Sequence, residues 1–183
     1  ANVDISAFYP WVKDISCSFA VATLYLLARV ANSIPEFRYR IRDERVIIHD
    51  IVHPSMTILL EDETFSFCTI EYAQDFQHFR MIADEKIAWV KENPFLEDEP
   101  GQDDLLFMTS IPWVSFTSMM HPTHLNPVDS VPRIAWGKFF PEGDRIKMPL
   151  SVQVHHALMD GLHVGKFFQQ AQEIFEQPQK IFD

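Results

Sequence analysis

The chain comprises 183 residues, 47% of them apolar and 22% charged, enough to enclose one full core and too apolar for a disordered chain. Its 26 acidic residues outweigh 15 basic ones, and the formal charge of −11 repels both nucleic acid and anionic membranes, so neither is expected as a partner. Cys17 and Cys68 are too few for a disulfide framework and lie in no CxxC cluster, and no export signal opens the chain, so a reducing, cytoplasmic location is expected.

Near the N-terminus, Asp4 or Ser6 is placed to cap a short turn holding Phe8, and Pro10 suits the first turn of the segment that follows. The apolar run Ile15–Ala28 is shorter than the ~20 residues of a membrane span and ends at Arg29, so it predicts a buried core helix that stops by Pro35. Phe37–Arg42 alternates aromatic or aliphatic residues with arginines, which predicts a strand with one dry face and one wet one. Asp43-Glu44 then reads as a turn and Val46–Ile51 as the hairpin partner. Met56–Leu60 and Phe65–Tyr72, separated by an acidic triplet, extend the sheet. From Asp75 to Lys91 apolar residues recur at steps of three and four, predicting a helix that Asn93-Pro94 ends.

The acidic stretch Glu97–Asp104 reads as a surface crossing between strands that depend on one another. Leu105–Met108, Trp113–Ser118, Ile134–Phe140 and Ile146–His155 are further strand candidates, with a loop rich in proline and histidine at Met120–Pro132. After Gly161, apolar residues from Leu162 to Phe175 mark an amphipathic terminal helix. Mixed elements without regular βαβ spacing predict an α+β fold, a two-layer sandwich in which helices cover a mixed β-sheet, as one domain over 1–183 with no internal repeat.

Chemistry concentrates at Leu150–Gly161. Alternation places Leu150, Val152, Val154 and His156 on one strand face, and Gly161 permits a turn that other residues resist. His156 reads either as a general base, a role an imidazole can fill near neutral pH, or as a strand-end histidine satisfied by hydrogen bonds. His155, His156 and Asp160 do not make a metal set, because adjacent strand residues point oppositely and no further ligand is placed; no metal is expected. His49, His53, His78 and His163 have no partner pattern and read as structural.

The segment His155-His156-Ala157-Leu158-Met159-Asp160-Gly161 resembles the HHxxxDG signature of the chloramphenicol acetyltransferase family. Other stretches resemble it in order, among them Ile34–Arg38, Val52-His53-Pro54, Ile111–Ser118 and Pro149–Val154, so the likeness spans nearly the whole chain. The resemblance implies transfer of acetyl from acetyl-CoA, a cosubstrate, to the primary hydroxyl of chloramphenicol, by direct attack in a ternary complex with His156 as general base. It implies a homotrimer with each active site at a subunit boundary, and a serine hydroxyl aimed at the oxyanion. Thr109 stands at that serine's position, with Ser110 beside it. It further implies structural roles for Asp160 and Gly161, Asp160 through a salt bridge to an arginine near the family's N-terminus. Trp113, Phe116, Met119, His121 and Phe139 are expected along the acceptor or CoA channel, and Arg133 and Lys138 are candidate cations for CoA phosphates.

The resemblance begins at the strand before the family's first long helix, so about forty family residues upstream have no counterpart, and with them the arginine expected for Asp160; stranding one partner of a buried ion pair costs about 3–5 kcal/mol. Two alternatives stay open at this point. One is a CoA-dependent acyltransferase for another small alcohol, motivated by Thr109 and His121; the other is a catalytically silent trimeric scaffold.

Overall fold

A computed structural model describes residues 1–95, 101–124 and 128–182. Parts of two expected loops, at 96–100 and 125–127, lie outside the described residues. The first strand, β1 (Asn2–Asp4), leads into helix α1 (Phe8–Asp14), which is separate from α2 (Phe19–Ser33). The two helices meet at 119° around Ser16, whose φ is 51°. The apolar run therefore starts α2 only at Phe19, and Pro10 serves α1 instead. Asp4 does not cap α1: its carboxylate accepts from the Ser6 amide and hydroxyl and pairs with Arg145 and Lys147. Helix α2 is buried on almost every side from Val21 to Ala31, which is why its sequence lacks a polar stripe. Among the described residues, no single helix is long and apolar enough to cross a membrane.

A 3-10 turn (Pro35–Arg38) follows, then the hairpin β2 (Tyr39–Arg42) and β3 (Arg45–Ile48), which forms a small sheet of its own rather than joining the main one. Its two-residue turn, Asp43-Glu44, has φ of 47° and 61°, the twist that antiparallel hairpins favour. Alternation misreads this hairpin's wet face. Arg40 is fully buried, and its guanidinium donates to the carbonyls of Phe37, Tyr39, Asp103 and Leu105. Burial pushes Arg40 down to about 10, so it stays charged at neutral pH, helped by Asp103 and Asp104.

Asp103 completes this fastening through its side chain, accepting from Arg42 and His49. Burial pulls the Asp103 carboxyl upward, but the bonds from Arg42 and His49 outweigh that and hold it below the ordinary range. A carboxylate whose folded pKa is depressed adds stability above the unfolded value, about 3.9, and loses it as pH falls through the folded one. Acidification below about pH 4 is therefore expected to loosen the hairpin before the main sheet, read as faster amide exchange at 39–48 than in the strands.

The remaining elements are β4 (His53–Leu59), β5 (Phe65–Thr69), α3 (Phe76–Glu92), β6 (Leu105–Ile111), β7 (Arg133–Gly137), β8 (Phe140–Glu142), β9 (Arg145–Gln153), α4 (Gly161–Glu176) and a final 3-10 turn (Pro178–Phe182). The main sheet runs β1-β9-β7-β6-β4-β5, with β8 also on β9; β6 is parallel to β4 and β7, and the other pairings are antiparallel. Helix α3 starts where Asp75 caps the His78 amide, as its periodicity predicts. In register, Met56, Met108, Ile134 and Val152 face the helices and the core. Alternation puts Ser55, Phe107, Thr109, Arg133, Ala135, Ser151 and Gln153 on the outer face. The α+β sandwich thus has its helices on one side of a mixed sheet.

The outer face is crossed by the segment after β6. Trp113–Ser118 is not a strand, contrary to its alternation, because it turns at Pro112 and passes over the end of β7. Gly137 makes that passage possible: a Cβ there would stand 2.7 Å from the Val114 carbonyl oxygen and 2.9 Å from the Phe116 ring. Gly137→Ala is expected to displace Val114–Phe116 and cost about 1–3 kcal/mol, measurable by urea unfolding.

Candidate active site

Strand β9 ends at Gln153, before the expected His155, and the chain turns through His156–Leu158 with the amides of Leu158 and Met159 both bonded to the His155 carbonyl. His156 is therefore presented by a turn rather than by the buried strand face, and it is exposed. Its Nδ1 lies 3.1 Å from the Met159 carbonyl oxygen, which can only accept, so Nδ1 carries the proton and Nε2 keeps a lone pair. Among the described residues Nε2 makes no hydrogen bond. An imidazole held in one tautomer, with its free nitrogen turned outward, has the attributes of a general base.

His156 lines a cavity of about 380 Å³ together with Met119, Met120, Val152, Val154, Met159, Asp160 and Gly161. A second cavity of about 230 Å³, lined by Phe116, Ser118, Met119 and Ser151, shares Met119 and Val152 with it, so the two are adjacent along β9. Of the residues expected in the channel, the structure thus brings Phe116 and Met119 toward His156. His121 lies just beyond Met120. Burial, and then Arg133, hold its imidazole below the ordinary range, so it is neutral at pH 7, and among the described residues its buried Nδ1 has no hydrogen-bond partner.

Other expected residues stand elsewhere. Trp113 is 65% exposed on the turn after β6. Phe139 packs against Tyr9 and Phe19, at the end of β9 opposite to His156. Arg133 is buried, paired with Asp129 and stacked on the Phe107 ring, so it is not free to meet a phosphate. Lys138 is exposed beyond β7. Thr109 is half-buried on the outer face, in register with Ala135 and Ser151.

Asp160 is the N-cap of α4. Its carboxylate accepts from the Leu162 amide at 2.9 Å, and the Asp160 amide donates to His163 Nδ1 at 3.2 Å. Gly161 begins the helix without a left-handed backbone angle, and a Cβ on it would meet nothing within 4 Å, so its value is open space beside the cavity rather than an unusual turn. Cys68 is buried and its thiol is pushed up to about 11, which leaves it unreactive at neutral pH. Among the described residues no three His, Cys, Asp or Glu side chains converge as a metal site.

Gln153 lies outside the histidine motif but shapes the site. Its carboxamide accepts from the His121 amide at 2.8 Å and donates to the His121 carbonyl at 3.2 Å, pinning the crossing segment beside the cavity. The available signal was its position, a polar side chain on the outward face at the end of a strand whose outer face needs covering.

Comparison with known proteins supports the same picture. A family model described as chloramphenicol acetyltransferase matches residues 1–172. Chloramphenicol acetyltransferases from Klebsiella sp. and Escherichia coli are each 37% identical over 175 residues, covering 94% of this chain and 79% of their own length. Chloramphenicol acetyltransferase 3 of E. coli is 32% identical over 180 residues, covering 95% and 83%. A solved chloramphenicol acetyltransferase superposes with a TM-score of 0.83 at 26% identity, over 96% of this chain and 86% of that one. A dihydrolipoamide acetyltransferase from Azotobacter vinelandii has a TM-score of 0.75 at 16% identity, covering 99% and 81%, a likeness of fold alone. Because the match runs through nearly the whole chain, including the turn that carries His156, this chain belongs to the chloramphenicol acetyltransferase family.

Proposed function

We propose that the chain is an O-acetyltransferase that moves acetyl from acetyl-CoA to the primary hydroxyl of chloramphenicol, with His156 as general base. The observation that carries this reading is the His156 imidazole, with Nδ1–H committed to the Met159 carbonyl and Nε2 open beside a cavity. Nε2 takes the hydroxyl proton as the alcohol oxygen attacks the thioester carbonyl. The carbonyl oxygen becomes an oxyanion, to which a hydroxyl donor can add a few kcal/mol of stabilisation. Collapse breaks the carbon–sulfur bond, and the departing CoA thiolate recovers the proton from Nε2–H.

We further propose that the oxyanion donor comes from a neighbouring copy in a homotrimer. The base nitrogen and the donor hydroxyl must lie within roughly 7 Å to serve one tetrahedral centre. Thr109 is in register with Ser151 but two strands away, roughly 10 Å across, and His156 lies beyond the end of β9. This separation supports a boundary between copies as the place where Thr109 and His156 meet.

The experiment is release of free CoA from acetyl-CoA with chloramphenicol, using the chain in its native assembly. Mixed assemblies of His156→Ala and Thr109→Ala chains sharpen it: random pairing restores about a quarter of the sites if the two groups come from different copies, and none if they come from one. A second reading keeps acetyl-CoA but takes another small alcohol, and is favoured by the polar, neutral imidazole of His121 where the segment meets the cavity. CoA release with a panel of alcohols but not with chloramphenicol would establish it, and a well-folded protein that neither binds CoA nor turns over would be a scaffold.

A further inference from the structure

We propose that His163, held by Glu36, positions His156 through the peptide group that joins Met159 to Asp160. The carbonyl of this peptide accepts from His156 Nδ1 at 3.1 Å, and its amide donates to His163 Nδ1 at 3.2 Å. The C=O and N–H of a trans peptide point in opposite directions, so one rigid plane links the imidazole beside the cavity to a second imidazole behind it. His163 Nδ1 accepts only when its proton sits on Nε2, and Nε2 lies 3.3 Å from a Glu36 carboxylate oxygen. Glu36 thus selects the tautomer of His163, His163 orients the peptide, and the peptide carbonyl selects the tautomer of His156.

Helix capping alone does not require this arrangement. A capping box needs a group at the third helical position that reaches back to the N-cap amide, and glutamate or glutamine commonly supplies it. A histidine there has a second ring nitrogen, and this one reaches Glu36, which belongs to the 3-10 turn following α2. Asp160 faces the same ring, with its carboxylate oxygen 3.2 Å from His163 Nδ1. A proton on Nδ1 would serve that carboxylate and forfeit the peptide amide, so the two arrangements exclude one another. A relay of three hydrogen bonds polarises each member and narrows its geometry. His163 and Glu36 touch no reactant and are positioning residues, an inference that rests on His156 being the base.

Nitrogen-15 NMR of the imidazoles in the full chain tests it alongside steady-state kinetics. In the wild-type chain His156 is expected as the Nδ1–H tautomer. His163→Leu is expected to shift His156 toward Nε2–H and to lower kcat about ten-fold, with KM for both substrates within about two-fold. His163→Asn, whose amide oxygen can replace Nδ1 as acceptor, restores both. Glu36→Leu leaves the cap of α4 in place and reads the same tautomer shift should His163→Leu fail to fold. An unchanged His156 tautomer in Glu36→Leu and in folded His163→Leu overturns the proposal, as does a rate loss that follows thermal stability and is not restored by asparagine. Absence of turnover in the wild-type chain defeats the enzyme reading instead, and the tautomer shift then decides this proposal by itself.

Discussion

His156→Ala is expected to lower acetyl transfer by about 10²–10⁴-fold, the usual worth of a general base, while the protein folds normally. The residue is exposed on a turn, and its side chain gives up one hydrogen bond, to the Met159 carbonyl, worth about 1 kcal/mol. His156→Gln extends the test, since it keeps polar atoms near those positions but has no titratable nitrogen. Both variants should bind CoA and show the wild-type far-ultraviolet spectrum, with the loss in kcat. A variant that retains more than about a tenth of the wild-type rate would remove His156 from the chemistry.

Arg40→Leu is expected to produce the largest loss of stability of any single substitution considered, about 3–5 kcal/mol in urea unfolding. Leucine suits a buried site by volume, but it removes the donor from four carbonyls, those of Phe37 and Leu105 buried and those of Tyr39 and Asp103 partly buried. Those bonds run 2.6–2.9 Å and tie the hairpin and its preceding turn to the start of β6. Arg40→Lys should recover only part of the loss, because a single ammonium cannot reproduce the planar fork that spans separated carbonyls. A loss below about 1 kcal/mol for Arg40→Leu would show that the hairpin is fastened by Asp103 and its partners alone.

How legible each element was depended on how local its determinant is. Helix α3 was readable almost to the residue, since its apolar period, its Asp75 cap and the Asn93-Pro94 stop all act within a turn or two. Trp113–Ser118 misled because it alternates like a strand yet finds no strand to pair with; hydrogen bonding to a neighbour defines a strand, and alternation only permits it. Arg40 misled for the related reason that alternation assigns a face but not what covers it. His156 was singled out by its motif, but its presentation came from a turn that the strand pattern runs past.

By itself the sequence determined the class of fold, the core helices, the family and the histidine proposed as the base, because periodicity, capping and an ordered series of motifs are properties of neighbouring residues. Only the tertiary structure decided which polar groups meet: Arg40 with four carbonyls, Gln153 with the crossing segment, and His163 with Glu36 behind the His156 turn. It also decided the register that sets Thr109 two strands from Ser151 on the outer face. Such pairings join residues remote along the chain, and strand register with the course of connecting segments sets them, information that no local pattern carries.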